Sequence, residues 1–216
     1  MKRKICVITG TRADYGILYP VMKKIRASGK LELYVVATGM HLMKEFGYTV
    51  REIEKDGFKI YAKVDISYKE DIGQAMAFSV GKAVSMFSKV FGKLKPAMVM
   101  VMGDRGEMLA AAIAANYMNI PVAHIHGGEI SGHVDGVVRH AITKLAHIHF
   151  PATQKAKKRI LNLGEEPGRV FVAGAPALDS ILNGKFELTK KYPIAVNKPF
   201  VLLVQHPVLA QSDKAG

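Results

Sequence analysis

Apolar residues along this chain gather in short continuous runs, and the runs alternate with longer stretches in which apolar positions recur every three or four residues. The runs occupy residues 5–8, 33–37, a short segment about Ile60, 97–102, 122–125, 148–150, 170–172 and 200–204. The run 97–102 carries no polar residue to place on a solvent face, so it reads as a strand covered on both sides, as in a parallel sheet. The periodic stretches read as helices. In 17–25, Leu18, Val21, Met22 and Ile25 share one face, and in 137–146 so do Val138, Ala141, Ile142 and Leu145. Further helices are expected over 42–53, over 71–94 where Pro96 ends the pattern, over the alanine-rich 106–117, and near 153–163. Strand and helix in alternation predict an α/β fold, a doubly wound parallel sheet of Rossmann-like type. Such sheets bind ligands outside the carboxyl ends of their strands, which directs attention to the residues after each run. Residues 1–184 are expected to form this domain. Residues 185–199, richer in Lys, Pro and polar side chains, read as a linker, and 200–216 as the beginning of a further domain.

Composition narrows the setting. With 216 residues and a hydrophobic fraction of 49% the chain can bury a substantial core without a disulfide staple. The lone Cys6 lies inside an apolar run, cannot form an internal disulfide and fits a reducing cytoplasm. Met1-Lys2-Arg3-Lys4 is followed by too short an apolar stretch for a signal peptide, and no later run has membrane-spanning length, so no membrane partner is expected. The net charge of +13 comes from 31 basic and 18 acidic residues. The basic residues are mostly lysines scattered over helical stretches, without an arginine-rich arm or nucleic-acid motif. The surplus is therefore read as general attraction for anions, and no nucleic-acid partner is expected.

The residues that follow the strands are chemically dense. After the first come Gly10, Thr11, Arg12, Ala13 and Asp14, a loop that allows close backbone approach and offers a guanidinium for a phosphate. The same residues also fit a tight turn with a surface Arg and an Asp helix cap. The glycine spacing matches neither the dinucleotide fingerprint nor a P-loop. After 97–102 come Gly103, Asp104 and Arg105, where Asp104 is either an acid/base group or a plain N-cap. After 122–125 come His126, Gly127, Gly128 and Glu129, then His133, Asp135, Arg139 and His140. Six of the eight histidines fall between 124 and 149. Two carboxylates, several imidazoles and a glycine pair in that span exceed what a fold requires. Asp135 and Arg139 stand four apart and can form an ordinary helical ion pair. His147 and His149 flank a strand start, where at least one reads as a core or sheet-surface residue. His124 and His126 alternate as on one strand face and, with Asp104 or His140, offer a zinc reading. The chain has no thiolate pair or His-Glu-x-x-His helix to support it, so no metal is expected.

The strings GTRADYG, GDRGEMLAAAIAA, PVAHIHGGEISGHVDGVVRHAITKLAHIHF and VFVAGAPALD, in this order, resemble the UDP-N-acetylglucosamine 2-epimerase family, specifically its hydrolysing branch that feeds sialic and related nonulosonic acids. The resemblance runs from residue 3 to about 208. It implies two Rossmann-like domains facing across a cleft, as in B-type glycosyltransferases, with this chain supplying the first. It also implies a UDP-sugar substrate, no cofactor, and a dimer for the full-length protein. The implied reaction removes the C2 proton and expels UDP from C1. Water then adds to the resulting 2-acetamidoglucal with inversion at C2, releasing N-acetylmannosamine. A UDP-2,4-diacetamido-trideoxyhexose fits the same motifs, and an inactive nucleotide-sugar-binding remnant is a further reading. By position within the motifs, Asp104 and Asp135 correspond to acid/base carboxylates, and the second acid/base role lies between His126 and Glu129. Gly10, Arg12, Asp14, Arg105, Arg139, His140, Gly174 and His206 correspond to positions around the nucleotide sugar.

Most groups that hold the diphosphate belong, by this resemblance, to the second domain. The 216-residue chain alone is therefore expected to fold but to release no free sugar from UDP-N-acetylglucosamine, because stabilising the departing charge is a large part of such catalysis. Calorimetric titration with UDP and a sugar-release assay check both halves. Micromolar UDP binding together with release would overturn the expectation.

Overall fold

A computed structural model describes residues 1–66, 73–131, 133–183, 199, 201 and 203, with the backbone alone at 133 and 183. Residues Met1–Leu182 form one compact unit, and Asn183–Gly216 are a second unit, nearly all of it outside the described residues. The expected linker, the run 200–204 and His206 fall there, apart from positions 199, 201 and 203.

Six strands, β1 (Arg3–Thr9), β2 (Leu31–Thr38), β3 (Ile60–Val64), β4 (Met98–Met102), β5 (Val122–Ile125) and β6 (Ile148–Phe150), make one sheet in the order β3-β2-β1-β4-β5-β6. Every pairing is parallel. The helices are α1 (Arg12–Ala27), α2 (Val50–Lys55), α3 (Gly73–Leu94), α4 (Gly106–Tyr117), α5 (His133–Leu145), α6 (Gln154–Asn162) and α7 (Ala177–Asn183). The order reverses direction between β1 and β4, the topological switch point at which doubly wound sheets open a crevice.

The alternation within each strand assigns its side chains to two cores. Cys6, Ile8, Val36, Val99, Val101 and Val122 face one layer, where Phe87 and Phe91 of α3, Met108 and the alanines of α4, and Ile142 of α5 pack. Ile5, Val7, Val35, Ala37, Met100, Met102, Ala123 and Ile125 face the other, against Leu18, Met22 and Ile25 of α1 and Val50 and Ile53 of α2. The absence of polar positions from 97–102 thus has its cause, since β4 is covered on both sides. The alanines let α4 lie close to its neighbour, and a Cβ placed on Gly106 would stand 3.0 Å from Val80 Cγ2 of α3.

Three expectations are revised. The stretch 42–53 is not one helix but two short 3-10 turns, Gly39–Leu42 and Lys44–Phe46, followed by α2. Gly47, left-handed at φ 85°, ends the second turn and interrupts the helical path. The run 170–172 contributes only one parallel bridge, Val170 to His149, at the edge of β6. Helix α1 also begins earlier than its apolar period shows, because Thr11 and Asp14 form a complete capping box.

The glycine pair after β5 answers to packing. A Cβ on Gly127 would lie 2.9 Å from His124 Nδ1 and 3.0 Å from Thr143 Oγ1. One on Gly128 would overlap the Ala156 carbonyl of α6 and approach Ile160 Cγ1 to 2.8 Å, and Gly128 is left-handed at φ 77°. Arg159 Nη1 donates to the Gly128 carbonyl at 3.0 Å, drawing α6 onto this loop. Gly128→Ala is therefore expected to destabilise the protein by about 2–4 kcal/mol, combining left-handed strain with a backbone clash. Urea denaturation should show a lower midpoint at unchanged slope, and a midpoint equal to that of the unaltered protein would contradict this account.

Candidate active site

The first strand end is built from the inside. Asp14, only 3% exposed, accepts hydrogen bonds from the backbone N–H of Gly10 at 3.0 Å and of Thr11 at 2.8 Å, and from the Thr9 hydroxyl. Thr9 Oγ1 also stands 3.0 Å from Nε2 of the buried His41, whose Nδ1 is 2.7 Å from Thr49 Oγ1. The capping reading thus describes Asp14, whose carboxylate shapes the loop from below. Burial pushes its pKa up to about 6, against the lowering effect of the Thr9, Gly10 and Thr11 hydrogen bonds. Arg12 is exposed and pairs with Glu52 at 2.8 Å, so the bland surface-arginine reading also describes what it does in this structure.

At the end of β4, Gly103 takes left-handed backbone at φ 75° and the chain turns into α4. Asp104 does not cap that helix: Arg105 occupies the N-cap position, with no side-chain capping bond. The Asp104 carboxylate instead pairs with Arg139 Nη2 of α5. Arg139 Nη1 donates to the Glu129 carbonyl and to Ser131 Oγ, both at 3.1 Å. The ion pair expected between Asp135 and Arg139 within one helix is therefore replaced by one across two strand ends. Asp135 is exposed, and its charge acts on Asp104 from nearby. Burial raises the Asp104 pKa above the ordinary carboxylate value, Arg139 opposes the rise and Asp135 adds to it.

At the end of β5 the strand stops at Ile125, and His126 stands in left-handed backbone at φ 60°. A non-glycine residue held there stores conformational strain, a feature that concentrates at functional positions. The turn also undoes the argument that placed His124 and His126 on one strand face. His124 is fully buried, with Nε2 2.8 Å from the Gly103 carbonyl and Nδ1 3.3 Å from Thr143 Oγ1. His126 is partly buried, and its Nε2 meets no partner among the described residues; the same holds for Nδ1 of His140 and Nε of Arg139. Burial lowers the His126 pKa, with Glu129 opposing, so the imidazole is neutral at pH 7. Glu129 Oε1 accepts from Thr153 Oγ1, the α6 N-cap, at 3.3 Å. Gly174, left-handed at φ 78°, follows the segment that runs beside β6. Among the described residues no three His, Cys, Asp or Glu side chains gather in a metal-binding arrangement.

These strand ends adjoin because β4 and β5 pair in register, Met102 opposite Ile125, and Gly103 N–H donates to the Ile125 carbonyl at 3.0 Å. Asp104, Glu129, Ser131 and Arg139 form one connected group beside His126. The sequence profile of the UDP-N-acetylglucosamine 2-epimerase family matches residues 23–215 of this chain. The chain belongs to that family. Similar proteins include the UDP-N,N'-diacetylbacillosamine 2-epimerase (hydrolyzing) of Legionella pneumophila, 44% identical over 99% of this chain and 58% of its own length. Another is the UDP-N-acetylglucosamine 2-epimerase of Neisseria meningitidis, 35% identical over 98% of this chain and 56% of that protein. Among solved structures, the Methanocaldococcus jannaschii UDP-GlcNAc 2-epimerase in complex with UDP-GlcNAc and UDP matches with a TM-score of 0.72. It is 25% identical, over 83% of this chain and 48% of that one. The chain thus spans little more than half the length of the curated relatives it matches. The Rossmann-like fold expected from the alternating pattern is the fold observed. No helix among the described residues is long and apolar enough to cross a membrane.

One residue of the site region escaped the sequence reading. Glu107, in the first turn of α4, is 5% exposed and lies beneath the crevice between β1 and β4. It accepts from Arg105 Nε at 2.6 Å. The signal was present: a single acid in an otherwise apolar, alanine-rich helix has to be paired if that helix is buried.

The buried groups of this domain give its stability a pH dependence of known sign. Burial depresses His41 to about 4 and His124 to about 3, from 6.5. Between those values and 6.5 the unfolded chain binds protons that the folded one refuses, so the stability these groups give at pH 7 is lost as pH falls through this window. Asp14, raised from 3.8 to about 6, works in the opposite direction, and its burial costs stability as pH rises from about 4 to 6. With His126 and His149 also lowered and Asp104 also raised by burial, four imidazoles stand against two carboxyls, which gives a net fall in stability on acidification from pH 6.5 to 4. Urea midpoints across this range should show it, with His124→Gln flattening the dependence and Asp14→Asn steepening it. A slope unchanged in either variant would refute the corresponding assignment.

Proposed function

We propose that this chain is the N-terminal, acid/base-bearing half of a hydrolysing nucleotide-sugar 2-epimerase. In this reading residues 1–184 are the domain, 185–199 the linker and 200–216 the start of a second, UDP-binding domain that includes His206. The observation that carries the reading is the convergence of Asp104, Arg139, Glu129 and the strained His126 at the adjoining ends of β4 and β5. A base takes the C2 proton while the C1–O bond breaks and its electron pair leaves on the UDP diphosphate. Water then delivers hydroxide to C1 and a proton to C2 from the opposite face, giving the free sugar with C2 inverted. Such a sequence requires two acid/base groups whose proton affinities differ. Asp104, raised by burial yet held by Arg139, and neutral His126 supply that contrast. Asp135 supplies a second carboxylate at the mouth, and Glu129 competes with His126 for the second role. Arg105, His140, Gly174 and the Gly10–Arg12 backbone are the proposed substrate contacts, and Asp14 acts behind that backbone.

For the substrate, a UDP-2,4-diacetamido-trideoxyhexose is favoured over UDP-N-acetylglucosamine. The support is the higher identity to the Legionella protein, 44% against 35% for the Neisseria one. Dimerisation of the full-length protein belongs to the same reading, supported by the exposed Met76 and Phe78 on α3.

In the full-length protein, Asp104→Asn is expected to reduce turnover by about a hundred- to ten-thousandfold, as removal of a general acid or base does. Its effect on the denaturation midpoint should be small by comparison, and Asp135→Asn should behave similarly. Assays that measure UDP and free-sugar release from both UDP-sugars check the chemistry and rank the substrates. Of His126→Gln and Glu129→Gln, the more damaged variant identifies the second acid/base group. Near-normal turnover in Asp104→Asn would leave the carboxylate as only a structural partner of Arg139.

A further inference from the structure

Glu107 is too deeply buried to meet a ligand: its side chain is 6% exposed, whereas that of its partner Arg105 is 40% exposed. The space around its carboxylate is shaped by two glycines from other elements. A Cβ on Gly10, at the end of β1, would overlap Glu107 Oε1 and lie 2.9 Å from Cδ, and one on Gly39, after β2, would stand 3.1 Å from Oε1. No other residue type fits at position 10 while Glu107 keeps its place. The glycine-bearing loop after β1, which the sequence alone presents as room for a ligand, makes room in this structure for a carboxylate reaching across from α4.

That carboxylate holds Arg105 by Nε, the nitrogen nearest the aliphatic stem. A guanidinium gripped there has its plane fixed while its two terminal amino groups point onward, the geometry suited to an oxyanion. Arg105 follows β4, and its partner Glu107 abuts Gly10 at the end of β1, which places the pair at the switch point of the sheet. We propose that Glu107 is a positioning residue: through Arg105 it orients a guanidinium over the β1–β4 crevice to receive the diphosphate of the nucleotide sugar, and Gly10 is a glycine because Glu107 occupies the space its side chain would need. The proposal rests on the nucleotide-sugar reading above.

The test uses the full-length protein, with UDP as the calorimetric probe and the preferred UDP-sugar for kinetics. Glu107→Gln keeps the shape and can still accept from Arg105 Nε, but it removes the charge. It is expected to weaken UDP binding and raise KM roughly ten- to hundredfold, the scale of a lost charge-assisted hydrogen bond. The change in kcat should be much smaller. Arg105→Ala should lose affinity similarly. The double variant should be no weaker than Arg105→Ala alone, because the two residues act as one unit. A purely structural Glu107 would lower the melting temperature and leave UDP affinity and the KM-to-kcat split unmoved, or would combine additively with Arg105→Ala; either result overturns the proposal. If Glu107→Gln folds poorly, Arg105→Lys carries the test. It keeps a charge beside Glu107 but loses the planar fork, and it should lose UDP affinity at an unchanged melting temperature; full affinity in that variant overturns the proposal. Absence of UDP binding by the unaltered protein overturns the nucleotide-sugar reading together with this one. Binding that Glu107→Gln leaves untouched overturns this one alone.

Discussion

The arrangement of the site depends on one guanidinium. Arg139 reaches from α5 to the Asp104 carboxylate after β4, to the Glu129 carbonyl and to the Ser131 hydroxyl in the loop after β5. Parallel register alone brings the two strand ends to the same level. It does not fix the loops that leave them, and Arg139 does. A lysine could not replace it, because one ammonium cannot address three acceptors in two directions with a fixed plane. The clamp also sets the chemistry of Asp104. Burial and Asp135 favour its protonated form, Arg139 favours the carboxylate, and the balance gives a base stronger than a solvated aspartate.

Beneath the mouth lies a second tier of polar groups that never reach it. Thr49, His41, Thr9 and Asp14 form a buried chain ending on the Gly10 and Thr11 amides, and Glu107 meets the same loop from the α4 side. Buried polar groups are costly unless each finds a partner, and in exchange they define one geometry for the backbone they hold. The carboxylates at the strand ends therefore divide by depth. Asp14 and Glu107 build the loops, whereas Asp104, Glu129 and Asp135 stand where a ligand could touch them.

Depth is also what separates the legible from the illegible in the sequence. The strands were readable because burial on both faces removes polar residues from runs such as 97–102, and the helices because one apolar face recurs at their period. The ligand edge followed from the topology. The partners were harder to read. Arg139 was matched to Asp135 by helical spacing, a local rule that cannot see an aspartate thirty-five residues away in sequence. The glycines at 127 and 128 read as chemistry, yet they answer to His124, Thr143 and α6, contacts that exist only in the folded chain. The segment after β2 kept a helical period while Gly47 broke the helix, and that residue was the better guide.

The distribution of charge completes the picture. The chain as a whole carries +13, a surplus read from the sequence as general attraction for anions. At the mouth the balance runs the other way. Arg12 is paired with Glu52, Arg105 with Glu107 and Arg139 with Asp104, while Glu129 and Asp135 add further carboxylates. The basic surplus lies on exposed lysines such as Lys23, Lys24, Lys155 and Lys158, where salt screens each charge beyond about 10 Å at 0.1 M. Those lysines act on solubility and on long-range encounter, not on the geometry of the site. At the strand ends each arginine is instead placed by a carboxylate, so the local field comes from fixed pairs and not from the scattered surplus.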